Sequence, residues 1–132
     1  MSRAEKTVLI VDDEPFIRQS FTDYFEDRLW TAMSAPSGED ALIILDKESP
    51  MCAIVDIRMG RMDGNAFILE AYKKKPHMAF AICTGSPEYD IPKDVRKLPY
   101  VSEHVFNKPV MDIGKLETEL LRLINRIEKE RT

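Results

Sequence analysis

Short apolar runs alternate along this chain with longer segments whose apolar positions recur every three or four residues. TVLIV (Thr7 to Val11) is the first run, and the polar DDEP follows it. In FIRQSFTDYFEDRL, the residues Phe16, Ile17, Phe21, Tyr24 and Phe25 fall at helical spacing, which predicts an amphipathic helix. WTAMSA reads as a weaker strand. Ser37-Gly38-Glu39-Asp40 has the form of a capping box, an N-cap serine with an acid three residues on, ahead of a helix through ALIILDKE. CAIVDI predicts a third strand, and Asp63-Gly64 opens a helix through NAFILEAYKKK that Pro76 ends. MAFAICTG is a fourth strand, and HVFN a short fifth one before Lys108-Pro109. LETELLRLINRIEKER closes the chain as an amphipathic helix, with Ile113, Leu116, Leu120, Leu123, Ile124 and Ile127 on one side.

Strands alternating with helices imply a parallel sheet covered on both faces and built with right-handed crossovers. Five such units suit an α/β, doubly wound, flavodoxin-like domain with strand order 2-1-3-4-5. The fourth unit is the weak one. SPEYDIPKDVRKLPYVSE carries Pro87, Pro92 and Pro99, which leave room only for a short or irregular helix around Pro92 to Leu98. No internal repeat interrupts the pattern. Residues 1–132 are therefore expected to form one domain, its core running from about residue 6 to about residue 128, with no output domain following.

Composition narrows the function classes. The chain has 132 residues, 44% hydrophobic and 32% charged, with a net charge of −4. That is a globular composition with no general attraction to nucleic acid or to an anionic membrane. No apolar run reaches membrane-spanning length, and MSRAEKTVLIVDDE lacks the hydrophobic stretch of a signal peptide, so a cytoplasmic location is expected. Cys52 and Cys83 lack zinc spacing, and His77 and His104 have no second histidine or cysteine near them. With Asp56 and Thr84 both at strand ends, the two cysteines are expected to be offset by about three strand residues, roughly 10 Å, too far for a disulfide.

The chemistry gathers at the carboxyl ends of the strands, where folds of this class bind ligands. The first strand ends in Asp12, Asp13 and Glu14, the third in Asp56, the fourth in Thr84-Gly85-Ser86, and the fifth in Lys108-Pro109. The first and third strands are neighbours in this order, so Asp12, Asp13 and Asp56 converge. Three adjacent carboxylates repel one another unless a cation shares them. Hard oxygen donors that only partly encircle an ion describe a Mg²⁺ site that keeps several waters. A lysine and a threonine on the same rim suit an anion beside that metal. An aspartate can attack phosphorus to give an acyl phosphate, while the metal and Lys108 neutralise the phosphoryl oxygens and Thr84 donates a hydrogen bond. Taken singly, Asp12 could be a helix N-cap, Thr84 a strand-end residue and Lys108 a solvated charge. Their convergence on one edge of one sheet favours the chemical reading.

In order, VLIVDDE, IVDIRMGRMDG, ICTGS and FNKP resemble the motifs of the receiver domains of two-component response regulators, the CheY-like superfamily, over essentially the whole chain. The resemblance implies that Asp56 is the phosphoacceptor and that Asp13 and Asp56 bind Mg²⁺ (or Mn²⁺) directly. It further implies that Asp12 acts largely through a metal-bound water and that the Arg58 backbone carbonyl completes the protein ligands. Thr84 matches the switch hydroxyl and Lys108 the family lysine, with a cis Lys108–Pro109 bond. A histidine kinase or histidine phosphotransfer protein is implied as donor. A downstream effector protein or a C-terminal output domain is implied as recipient, and a homodimer is possible within the family. The implied role is a switch that helps its own phosphorylation and hydrolysis without turning over a metabolite. Two positions depart from the family pattern. Gly60 stands where proline is common, and Val105 stands where an aromatic is usual, with Phe106 next to it on the opposite strand face. Arg58 and Ser86 are expected to flank the approach of water to the phosphoryl group.

Three other readings compete. A receiver-like module that signals by binding alone would keep the fold, but it would have no use for the intact set of Asp12, Asp13, Asp56, Thr84 and Lys108. A small metal-dependent phosphatase needs a general acid and a cap for which the chain has no length. A flavin mononucleotide carrier shares the fold class, yet no Ser/Thr/Gly-rich phosphate loop follows the first strand and DDEP would repel the phosphate. The Pro-rich fourth unit and Val105 predict an output surface unlike the common dimerising one.

Overall fold

Ten elements alternate strictly in the computed structural model, which describes residues 5–86 and 88–131. They are β1 (Thr7–Val11), α1 (Pro15–Asp27), β2 (Thr31–Ala35), α2 (Gly38–Lys47), β3 (Cys52–Asp56), α3 (Gly64–Lys74), β4 (Ala79–Thr84), α4 (Lys93–Arg96), β5 (Val101–Asn107) and α5 (Ile113–Glu130). Every strand pairing is parallel, and the sheet order is β2-β1-β3-β4-β5. The doubly wound, flavodoxin-like architecture expected from the alternation is the one observed.

The period of two along each strand divides the core into two layers. Leu9, Val11, Ala53, Val55, Phe80 and Ile82 join Leu45 of α2, Phe67 and Ile68 of α3 and Val95 of α4 in one layer. Val8, Ile10, Ile54, Ala79 and Ala81 meet Phe21 and Phe25 of α1 and Leu116, Leu120 and Leu123 of α5 in the other. β3 and β4 are buried at every residue, which is what a central parallel strand between two helical layers requires. Local signals set the helix starts. The Ser37 hydroxyl accepts from the Asp40 amide, and the Asp63 carboxylate accepts from the Ala66 amide at 2.8 Å. Residue 12 does not cap α1, whose N-cap position is Glu14 with Pro15 opening the helix.

Several details differ from the sequence reading. Phe16 is 90% exposed, although its spacing suggested the buried face of α1. It stands a quarter turn off the Ile17–Phe21–Tyr24 stripe and shares its face with Ser20, Asp23 and Asp27. β5 is longer than HVFN because it carries a bulge. Between the pairs Phe80–Val101 and Ile82–Val105, β5 holds two more residues than β4. The Ser102 hydroxyl stabilises this bulge by accepting from the His104 amide at 3.2 Å while donating to Glu119 Oε2 at 2.8 Å. The register also places Cys83 opposite Asp56 and Cys52 opposite Ala79. The cysteines are thus offset by four residues rather than three, about 13 Å at the usual rise, and both are free and buried. α4 is a single turn, as the prolines predicted, while Pro87 lies outside the described residues.

One buried acid escaped the sequence reading. Glu117 sits in the apolar stripe of α5 and is only 4% exposed. It accepts hydrogen bonds from Trp30 Nε1 at 2.9 Å and Tyr24 Oη at 3.1 Å, and pairs with Arg28 Nε at 2.6 Å. Burial alone would raise its carboxyl, but bonds from Arg28, Trp30 and Tyr24 hold it below the usual range. The cluster ties α5 to α1 and to the start of β2. Among the described residues, no helix is long and apolar enough to cross a membrane.

Candidate functional site

β1 and β3 are adjacent, and their register runs to Val11 opposite Val55. The next residues, Asp12 and Asp56, therefore leave the sheet side by side. Both are buried, at 2% and 3% exposure, whereas Asp13 is exposed. One carboxylate oxygen from each of Asp12, Asp13 and Asp56 lies within 4.8 Å of the others. The structure thus brings together the three acids that the sequence placed on this edge.

Like charges this close need compensation, and Lys108 supplies part of it. Its Nζ stands 3.0 Å from Asp12 Oδ2, 2.8 Å from Glu14 Oε2 and 3.4 Å from Asp56 Oδ2. Burial works against the ammonium, but its bonds to Glu14 and Asp12 hold it protonated above the ordinary lysine range. The Lys108–Pro109 peptide is cis, as the family resemblance implied, and the Lys108 amide donates to the Thr84 carbonyl at 2.8 Å. The Glu14 contact is an addition to the predicted set, and the third letter of DDE was its only signal. Three carboxylates share one ammonium, and Asp13 adds a fourth negative charge beside them. Asp56 is accordingly pushed up to about 6, by burial first and by Asp12 second, against the pull of Lys108 and the Arg58 amide. Burial likewise raises Asp12, opposed by the Glu14 amide and Lys108.

This donor set fits a divalent cation. It is all oxygen, it comes from one side only, and it opens into a cleft of about 540 Å³ that Asp13, Asp56, Arg58, Gly85 and Lys108 help to line. Arg58 stands on the rim and donates its amide to Asp56 Oδ1 at 3.3 Å. Thr84 reaches the same edge one residue beyond Cys83, the strand partner of Asp56, but it is fully buried and Gly85 lines the cleft instead. The Thr84 oxygen accepts from the Ser86 amide at 3.1 Å, which leaves its proton available to donate. Val105 and Phe106 lie in opposite core layers, as the strand alternation predicted.

Gly64 is a packing requirement beside the site that sequence reasoning passed over. The start of α3 rests directly on the backbone of the acidic strand. A Cβ at residue 64 would stand 2.4 Å from the Asp56 carbonyl oxygen and 2.9 Å from Ile57 Cα. Asp63 explains the helix cap but not the glycine after it, and that leftover glycine was the available signal. Gly60 is different: a Cβ there meets nothing within 4 Å, and among the described residues no glycine has positive φ. The exchange of proline for glycine at that position therefore leaves no steric trace.

Comparison with known proteins agrees with this fold. The family model of the response regulator receiver domain matches residues 8–120. The heme response regulator HssR of Staphylococcus aureus is 35% identical over 85 residues, covering 64% of this chain and 31% of that protein. A protein-glutamate methylesterase/protein-glutamine glutaminase of Oleidesulfovibrio alaskensis is 26% identical over 124 residues, covering 92% of this chain and 35% of that protein. The chain thus spans about a third of the length of these curated relatives. Among solved structures, a CheY-like receiver domain protein of Methanospirillum hungatei superposes with a TM-score of 0.81 at 26% identity, covering 96% of this chain and 99% of that one. The chemotaxis protein CheY4 of Vibrio cholerae gives 0.75 at 26% identity, over 91% and 99%.

Two predictions follow from the crowding at Asp56. Its folded pKa of about 6 lies above the ordinary value of 3.8, so ionisation penalises the fold. The penalty is absent below the ordinary value and complete once pH has passed the folded one. With chelator present, Asp56→Asn is expected to stabilise the protein at pH 8 by about 2–3 kcal/mol. The gain should shrink to nothing below about pH 4, as read by urea denaturation; a gain independent of pH would contradict this electrostatic assignment. Gly64→Ala should instead destabilise by about 2–4 kcal/mol, because backbone rather than a flexible side chain must yield. A change smaller than about 0.5 kcal/mol would show that α3 does not bear on Asp56.

Proposed function

The chain belongs to the response regulator receiver domain family, and from that premise we propose that it is a phosphorylation-driven switch with Asp56 as the phosphoacceptor. A histidine kinase or a histidine phosphotransfer protein supplies the phosphoryl group. The observation that carries this reading is the placing of Asp56. It is a carboxylate held rigid at the end of a buried strand, beside two further acids and one lysine, at the floor of an open cleft. Rigid backbone is what a nucleophile needs.

An Asp56 oxygen forms a bond to phosphorus as the phosphorus–nitrogen bond of a phosphohistidine breaks and its electron pair returns to the imidazole. A Mg²⁺ or Mn²⁺ ion held by Asp13 and Asp56, by Asp12 largely through water, and by the Arg58 backbone carbonyl would neutralise charge on the phosphoryl oxygens. Lys108 offers a second positive charge from its place beside Asp56. Thr84 turns its free proton toward a phosphoryl oxygen, drawing on the loop that Ser86 begins. That pull biases a protein-binding surface formed by α4, β5 and α5. Arg58 and Ser86 flank the path of attacking water and set the lifetime of the acyl phosphate.

A protein donor, rather than a small metabolite, is favoured by what surrounds the cleft. Phe16 at the start of α1 and Met111 after Pro109 are 90% and 89% exposed. Their neighbours Ile17 and Pro109 line the cleft itself. Large apolar side chains held in water beside a charged site suit a protein interface. The output passes to a downstream effector protein or to an attached domain, in a cytoplasmic protein that binds neither membrane nor nucleic acid through this domain. The single-turn α4 and Val105 give the output face a shape unlike the common dimerising one.

Incubation with acetyl phosphate and Mg²⁺ should add the mass of one phosphoryl group to the wild-type chain and none to Asp56→Asn. Equal gain in both proteins would remove Asp56 from the role.

A further inference from the structure

Two loops border the opening to Asp56. One is the turn from Ile57 to Asp63, which carries Arg58; the other includes Gly85 and Ser86, just after Thr84, and Tyr89 to Pro92. The first is anchored by the Gly64 amide, which donates to the Ile57 carbonyl at 3.0 Å, and by the close fit of Gly64 on Asp56. The second has a chain of its own bonds. The Ser86 amide donates to Thr84 Oγ1 at 3.1 Å, and the Tyr89 amide to the Ser86 carbonyl at 3.3 Å. From α4, Arg96 Nη2 holds Asp90 at 2.7 Å and the Ile91 carbonyl at 3.2 Å.

One contact joins the two sides. The Tyr89 hydroxyl donates to Asn65 Oδ1 at 2.7 Å, and Asn65 is the residue directly after Gly64. Among the described residues this is the one side-chain hydrogen bond between the second loop and α3. The Tyr89 ring is half-buried against the layer that holds Ile57, Ile82 and Ile91. Packing alone could be met by phenylalanine, so the hydroxyl is the feature to be explained. Through it the two sides are joined, from Thr84 through Ser86 and Tyr89 to Asn65, whose neighbour Gly64 donates to the Ile57 carbonyl next to Asp56.

We propose that Tyr89 is a positioning residue for phosphoryl transfer, whose hydroxyl clasps Asn65 and so fixes the loop that follows Thr84 against the start of α3 that rests on Asp56. The proposal rests on the reading of Asp56 as phosphoacceptor. It assigns to the clasp two effects, correct placement of Thr84 toward the phosphoryl group and transmission of any movement of that loop to α4 through Asp90, Ile91 and Arg96.

The test is a double-mutant cycle of Tyr89→Phe, Asn65→Ala and the pair, read in the rate of phosphorylation by acetyl phosphate with Mg²⁺. Each single variant should slow the reaction roughly three- to tenfold, the share of one hydrogen bond, and the double should be no slower than either. Amide hydrogen exchange without any donor is the second readout. Protection at Ser86 and at Gly64 should fall together in both single variants while global stability is kept. Unchanged rates in Tyr89→Phe, or single effects that multiply in the double, would overturn the clasp. If the wild-type chain takes up no phosphoryl group, the phosphoacceptor reading fails and exchange decides the clasp alone. Joint loosening then supports it, and unchanged protection at Ser86 in Tyr89→Phe refutes it.

Discussion

The repulsion among Asp12, Asp13 and Asp56 is the constraint around which this domain is organised. Two buried carboxylates and an exposed one with oxygens inside 4.8 Å of one another do not assemble unaided. Two things hold them. β1 and β3 are locked into the sheet by apolar residues on both faces, so the ends of those strands have nowhere else to go. Lys108, delivered by the cis turn after β5, places one ammonium among Asp12, Glu14 and Asp56. The balance stays negative. That residual charge suits a divalent cation, while burial first and Asp12 second keep the Asp56 carboxyl raised to about 6.

The same arrangement explains why so much was legible in sequence. VLIV, CAIV and AFAIC are continuous apolar runs because their strands are covered on both faces, and that coverage is also what makes DDE, Asp56 and Thr84 conspicuous at their ends. What could not be read depends on contacts between distant elements. The bulge in β5 breaks an apolar run with exposed Glu103 and His104, so only HVFN looked like a strand. Gly64 is required by the carbonyl of Asp56, a backbone contact that leaves no mark on side-chain pattern. Glu117 reads as one more charge on an amphipathic helix until Trp30, Tyr24 and Arg28 are seen to converge on it. Phe16 was misplaced for a simpler reason: it sits at the edge of the stripe, where a quarter turn decides between core and solvent.

The site's two flanks are built differently. On the α1 and α5 side, the Glu117 cluster fixes the last helix to the first one, and Phe25 stacks edge-on against Trp30 at 5.0 Å. On the α3 and α4 side, α4 is one turn long and the loop before it is tied to the start of α3 by Tyr89 and Asn65. A change of charge at Asp56 therefore meets a stiff wall on one flank and a hydrogen-bonded clasp on the other.

The central claim is that Asp56, and no other acid of the cluster, forms the covalent bond to phosphorus. Borohydride reduces an acyl phosphate to an alcohol, so trapping the phosphorylated chain and sequencing its peptides by mass spectrometry reads the attacked residue directly. Homoserine at position 56 is the expected product. Homoserine at position 12 or 13, or phosphoryl uptake with no reducible acyl phosphate, would contradict the assignment.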